Sequence, residues 1–171
     1  MRLRRLFAVA CLGATSFSSV AWSQQSATNG QVFDDWRLVC QAVGVNQTRC
    51  VISQSLSISE SNAFLAEVTV RLVETDEGSQ TVIAVSTPTN MLLPIRPAYR
   101  IEDSGETIAM EWRTCTPRVC SASRILSPAE LAALKAGIRM TMGYQPTNQE
   151  TPVNFPVSLK GITAGIAALG G

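Results

Sequence analysis

Phe64-Leu65-Ala66-Glu67-Val68-Thr69-Val70-Arg71-Leu72 is the stretch whose reading decides the fold. Phe64, Ala66, Val68, Val70 and Leu72 alternate with Leu65, Glu67, Thr69 and Arg71. A period of two places one set of side chains against a core and the other outside, the pattern of a strand in a half-buried sheet. Thr75-Asp76-Glu77-Gly78 then supplies a turn, and Thr81 to Ser86 reads as the returning strand. On the N-terminal side, Cys50 to Leu56 forms another strand, preceded by the turn residues Gly44-Val45-Asn46-Gln47. Before that turn, Trp36, Leu38 and Cys40 alternate with Arg37 and Val39, with strand character beginning at Phe33. Consecutive strands joined by short turns are antiparallel neighbours.

The second half continues the pattern. Tyr99–Asp103 and Thr107–Cys115 flank Asp103-Ser104-Gly105-Glu106, which predicts a hairpin with Ile108, Met110, Trp112 and Thr114 on one face of its second arm. Thr116-Pro117-Arg118-Val119 turns the chain into a strand over Cys120–Leu126. Ser127-Pro128-Ala129-Glu130 predicts a helix start, with Ser127 as N-cap, Pro128 in the first turn and Glu130 closing a capping box. Leu131, Leu134 and Ile138 space its apolar side, and Gly137 is the expected stop. Ile138, Met140 and Met142 then alternate with Arg139, Thr141 and Gly143, and Phe155-Pro156-Val157 is extended. Ser158 is the expected cap of a last helix carrying Leu159, Ile162, Ile166 and Leu169. About eight short strands and two small helices, with neither βαβ alternation nor a repeat, predict an all-β, antiparallel, immunoglobulin-like β-sandwich. The expected organisation is a signal peptide at 1–23, a flexible segment at 24–32 and a single domain over 33–171.

The signal peptide is read from chemistry. Arg2, Arg4 and Arg5 make a basic start, a small-residue apolar stretch runs from Leu6 to Val20, and Ala21 and Ser23 offer cleavage positions. The whole chain has 14 basic and 13 acidic residues, so losing those three arginines leaves the processed chain acidic by a small margin. Such a balance argues against broad binding of nucleic acid or anionic lipid. No stretch beyond the signal segment is long and apolar enough to span a membrane, since Lys160, Gly161 and Gly165 interrupt the richest one.

Four cysteines follow the expected cleavage point: Cys40, Cys50, Cys115 and Cys120. An even number in an exported chain reads as disulfides. Three pairings exist. The local one, Cys40–Cys50 with Cys115–Cys120, is favoured because each pair flanks a turn. Neither spacing fits a zinc ribbon or a Cys-x-x-Cys oxidoreductase.

The search for reaction chemistry returns mostly exclusions. The chain has no histidine, which removes Ser-His-Asp and Cys-His nucleophile systems, His-ligated metal and an imidazole switch. No glycine-rich phosphate loop, calcium loop or Gly-x-Ser-x-Gly elbow is present, so no cofactor or metal is expected. Asp34-Asp35 reads as a solvated strand start, and the adjacent acids Glu102-Asp103 point to opposite faces. Two features remain. Arg96, Arg100, Arg113, Arg118 and Arg124 cluster in the middle third, either as separate solvated side chains or as one basic strip across neighbouring strands. Pro88–Pro97 holds three prolines beside Met91-Leu92-Leu93 and Ile95. It reads as a loop folded over the end of the core, or as an exposed apolar loop that meets a partner.

The order of these features resembles the invasion-associated locus B proteins of Gram-negative bacteria. The resemblance rests on Asp35-Trp36 with Cys40, Cys50-Val51-Ile52, Leu92-Leu93-Pro94, the Cys115/Cys120 pair, the Leu131–Gly137 helix and Val157-Ser158-Leu159-Lys160-Gly161 before an Ala-rich end. Gly161-Ile162 departs from the family's usual Gly-Phe. The resemblance implies a small exported β-sandwich protein and supplies no catalytic residues. The expected function is therefore non-enzymatic contact with an unknown envelope or host protein. The alternative is a disulfide or chaperone-like envelope factor using Cys115/Cys120. Arg96, Arg113, Arg118, Met91 and Leu92 are the expected partner-binding residues, because a disulfide between Cys115 and Cys120 would hold the turn that carries Arg113 and Arg118 rigid.

Overall fold

The computed structural model describes residues 28–103 and 105–170. The expected signal peptide and its cleavage positions lie outside the described residues. The described residues form two antiparallel sheets in a sandwich-like arrangement with two short helices.

The larger sheet is built from β1 (Val32–Phe33), β2 (Trp36–Gly44), β3 (Gln47–Ser57), β4 (Phe64–Thr75), β5 (Gly78–Thr87), β9 (Cys120–Ile125) and β8 (Glu111–Cys115), in that spatial order. The first five follow the chain, each hairpin closing where turn chemistry places it. Gly44 pairs with Gln47 and Thr75 with Gly78. Asn46 takes a φ of 57°, a left-handed conformation that asparagine tolerates. Asp34 and Asp35 are the exposed turn between β1 and β2, so this acid pair is solvated. Gly30 and Gln31 exchange backbone bonds with Leu38, which ties down the end of the polar segment 24–32.

The smaller sheet runs β11 (Val153–Ser158), β10 (Arg139–Tyr144), β6 (Ala98–Ile101), β7 (Ile108–Ala109). Pro156 is accommodated because β11 is an edge strand. The arm predicted as one strand over Thr107–Cys115 is divided. Residues 108–109 pair with β6 in the smaller sheet, and residues 111–115 pair with β9 in the larger one. The fully buried Met110 marks the crossing, where its N–H donates to the Pro97 carbonyl at 2.8 Å. Trp112 lies on the edge strand beyond that crossing and is half-buried, packed against the margin of the core.

The core lies between the sheets. Leu38, Ile52, Val70 and Ile83 are successive partners across four strands and all four are fully buried. Tyr99, Met140, Met142, Tyr144, Phe155 and Val157 face them from the smaller sheet. Polar side chains also join the layers. Trp36 Nε1 donates to the Ser158 carbonyl at 3.0 Å, and Tyr144 Oη donates to the Leu65 carbonyl at 3.1 Å. Gln54, buried in a row otherwise apolar, accepts from Ser158 N at 3.0 Å and donates to the Ser158 carbonyl at 3.2 Å. Its amide thus satisfies a backbone donor and acceptor where the sheets meet, which is why a polar side chain survives there.

Helix α1 (Pro128–Ala136) carries the predicted capping box. Ser127 Oγ accepts from Glu130 N at 3.2 Å, and Glu130 Oε2 accepts from Ser127 N at 2.7 Å. Gly137 ends the helix with an ordinary φ of −74°, not the left-handed stop of a glycine cap. A Cβ there would come within 2.9 Å of the Ile101 and Leu159 side-chain methyls, so the glycine leaves room for those two side chains to pack against the helix end. Ile138, expected on the helix's apolar side, lies past its end and is 66% exposed. Helix α2 (Ile162–Ala168) starts one turn later than predicted. Its N-cap is Gly161, and Ser158 belongs to β11. Ile162 and Ile166 nevertheless bury the apolar side that their spacing predicts.

Candidate functional site

The β8–β9 hairpin and the 88–97 loop share one margin of the larger sheet. β8 is its edge strand, and a register shift between Trp112 and Thr114 interrupts its pairing. At the tip, Thr116 N donates to the Val119 carbonyl at 2.8 Å, and Thr116 Oγ1 accepts from the backbone N–H groups of Arg118 and Val119. Cys115 and Cys120 stand directly opposite each other and are joined by a disulfide. Cys40 and Cys50 form the same kind of cross-strand bond between β2 and β3. Both bonds are of the local type that the turn positions favour.

These bonds close loops with sequence separations of 10 and 5 residues. Constraining such short loops in the unfolded chain contributes about 2–3 kcal/mol each in the chain-entropy account. Replacing both Cys115 and Cys120 by serine is expected to lower the unfolding free energy by about 2 kcal/mol, read as a lower urea midpoint, while the folded state persists at room temperature. An unchanged midpoint would show that the bond contributes nothing to the fold.

The loop leaves β5 beside the hairpin tip, where Thr87 Oγ1 donates to the Cys120 carbonyl at 3.3 Å. It returns beside the start of β8. There Trp112 Nε1 donates to the Ile95 carbonyl at 3.1 Å, and Arg96 pairs with Glu111 at 2.6 Å. The structure therefore brings together the two segments that the sequence singles out, and it corrects one residue. Met91, expected on the partner surface, is buried and 7% exposed. A bridge to Pro146 and the Leu92 N–H bond to the Gln145 carbonyl turn it into the core. Its neighbours point away. Leu92, Leu93 and Ile95 are 38, 50 and 46% exposed. The loop is thus anchored by one apolar residue and presents three.

The arginines do not form one strip, because they lie on different faces. Arg113 and Arg118 are exposed at the hairpin, with Arg113 Nε donating to Ser123 Oγ at 2.9 Å on the outer face of the larger sheet. Arg100 belongs to β6 in the smaller sheet. Arg124 stands opposite the buried Ile83, where its guanidinium meets Glu130 at 2.7 Å and reaches the Ala109 carbonyl. Partial burial pushes the Glu130 carboxyl up, but the Ser127 N–H, the Ser127 hydroxyl and Arg124 outweigh it and hold the group below its ordinary range. Arg124 and Glu130 therefore fasten α1 to the sheet margin. Beside them, burial pushes the Tyr99 hydroxyl up to about 12, with Glu130 adding to the shift.

Residues 36–170 match the sequence model of a family described as Invasion associated locus B (IalB) protein. The chain belongs to this family.

An IalB relative, an invasion protein B homolog of Brucella abortus (strain 2308), is 24% identical over 160 residues, covering 94% of this chain and 90% of its own length. The corresponding homolog of Brucella abortus biovar 1 (strain 9-941) matches equally. The crystal structure of invasion associated protein B from Bartonella henselae superposes with a TM-score of 0.65 at 20% identity, covering 81% of this chain and 94% of that one. This likeness supports the fold, two antiparallel sheets with short helices.

Within this IalB-family chain, no group of three or more metal-ligating Cys, Asp or Glu side chains occurs among the described residues. No described helix is long and apolar enough to cross a membrane. Sequence reading missed Asn154, Thr141 and Gly143, which line a groove with Arg96 and Arg100. The outward positions of the 139–143 alternation were the available signal, but only the pairing of β10 with β6 and β11 places them beside Arg100.

Proposed function

We propose that this chain is an exported, envelope-associated protein that acts by non-enzymatic contact with an envelope or host protein. In this reading a leader over 1–23 is removed and one domain spans 33–171. The observation that carries it is the 92–95 loop segment. Three exposed apolar side chains sit on a backbone anchored by Met91 and by the Trp112–Ile95 bond, next to a disulfide-closed hairpin bearing Arg113 and Arg118. Preorganised loops of this kind lose little entropy on binding, and apolar groups beside arginines suit protein interfaces. The two disulfides support an oxidising compartment. The names of the Brucella relatives support an invasion-linked role.

Crosslinking in intact cells, with partners identified by mass spectrometry, tests the reading. The double variant Arg113→Ser/Arg118→Ser is expected to reduce capture of the dominant partner about tenfold, at an unchanged melting temperature. Leu93→Ser is expected to act in the same direction. Equal capture by wild type and both variants would remove this surface from consideration. Capture of mixed disulfides through Cys115 would favour the disulfide-factor alternative instead.

A further inference from the structure

The outer face of the smaller sheet holds a second feature, separate from the loop–hairpin surface in its chemistry. A groove of about 460 Å³ lies over β6, β10 and β11, a volume in the range of small-ligand sites. Its floor is shallow-sided because Ala98 and Gly143 are cross-strand partners, and Asn154 stands opposite Gly143 on the other side. Thr141 stands opposite Arg100 in the same way. The lining includes Arg96 and Arg100 and no carboxylate.

Arg100 is the unusual group. Arg96, Arg124 and Arg139 are ion-paired, to Glu111, Glu130 and Asp103, whereas Arg100 shares its lack of an ion pair with exposed arginines such as Arg113 and Arg118 and differs from them in its burial. Arg100 forms no ion pair among the described residues, and its Nε is buried without a hydrogen-bond acceptor. A partly buried guanidinium in that condition retains its capacity for an anion, and its planar fork matches a carboxylate. Asn154 and Thr141 make no side-chain hydrogen bonds within the described residues, so an amide and a hydroxyl beside the cation are uncommitted. The backbone beneath is fully engaged, since β10 pairs with both β6 and β11. Over β10, at the centre of the groove, recognition therefore falls to side chains, and the free edge of β11 lies to one side. A compact ligand bearing one carboxylate and several hydroxyls meets these conditions.

We infer that this groove binds an acidic sugar, with Arg100 taking the carboxylate and Asn154 and Thr141 the neighbouring hydroxyls. The groove borders the 88–97 loop through Ile95 and Arg96, but the inference rests on Arg100, Thr141 and Asn154 and survives failure of the proposed protein contact.

The test is an NMR titration of the purified, oxidised protein with galacturonate, following the Arg100 Nε–H signal and the amides of residues 98–100 and 141–143. Saturable shifts confined to these positions are expected with galacturonate, and none with galactose or with galacturonate methyl ester. Arg100→Gln is expected to weaken binding by at least about tenfold. Asn154→Leu, at an exposed position on the edge strand β11, is expected to weaken it severalfold and serves if the arginine variant does not fold. The inference is overturned if no shift saturates, if the methyl ester binds as well as the acid, or if both variants bind like wild type. Equal affinity for inorganic phosphate or a glutamate-rich peptide would also overturn the assignment to a sugar.

Discussion

Replacing Trp36 by alanine is expected to destabilise the folded chain by about 3–5 kcal/mol, the range for emptying a fully buried aromatic site. Trp36 has no exposed surface, and it belongs to the larger sheet while its Nε1 donates to Ser158 in the smaller one. The substitution therefore opens a cavity and removes one of the polar ties between layers. Trp36→Phe separates the two contributions. It keeps most of the buried area and loses the hydrogen bond, yet Ser158 O still accepts from Gln54. A cost of about 1–2 kcal/mol is expected for it, from the lost bond and imperfect filling. Urea unfolding followed by far-ultraviolet circular dichroism measures both. If Trp36→Ala costs under 1 kcal/mol, the tryptophan does not hold the layers together.

Gly161→Ala is expected to be nearly as damaging, although it adds a single methyl group at the surface end of a seven-residue helix. Gly161 has a φ of 83°, which an L side chain resists. A Cβ built there would overlap the Phe33 carbonyl oxygen, a backbone atom of β1 that cannot swing aside. Relief requires moving either α2, with its buried Ile162 and Ile166, or the β1–β2 turn at Asp34. The expected loss is about 2–4 kcal/mol, combining strain with displaced packing. Gly78→Ala is the matched control. Its φ is 105°, but nothing lies within 4 Å of its added methyl group. It should cost only the conformational part, about 1 kcal/mol. Equal melting temperatures for the two variants would show that the Phe33 approach has no energetic weight.

Seen from the residues, the legible features were those fixed by near neighbours in the chain. Alternation over Phe64–Leu72 marked β4, and Asn46 and Gly78 marked hairpin turns. The capping box at Ser127 and Glu130 formed as read, because all its partners lie within four residues. The local cysteine pairs formed because each turn brings its two cysteines into register.

The candidate surface was legible only in part. Composition drew attention to the arginines and the proline-linked loop, and folding did bring the loop to the hairpin. A list of arginines carries no information about faces, however, and Arg124 turned inward to Glu130 while Arg100 went to the other sheet.

By itself, then, the sequence marked most of the strands and turns and the capping box of α1, indicated an antiparallel β protein, and favoured local disulfides. Each of these depends on interactions spanning a few residues. The tertiary structure alone decided that residues 107–115 divide between two sheets at Met110, that Met91 is buried while Leu93 is exposed, that Gln54 is satisfied by Ser158, and that Gly161 must be glycine. A period of two reports that a strand has two sides. Which sheet it joins, and what covers each side, is set by partners far away in the chain: Pro146 for Met91, Ser158 for Gln54 and Phe33 for Gly161.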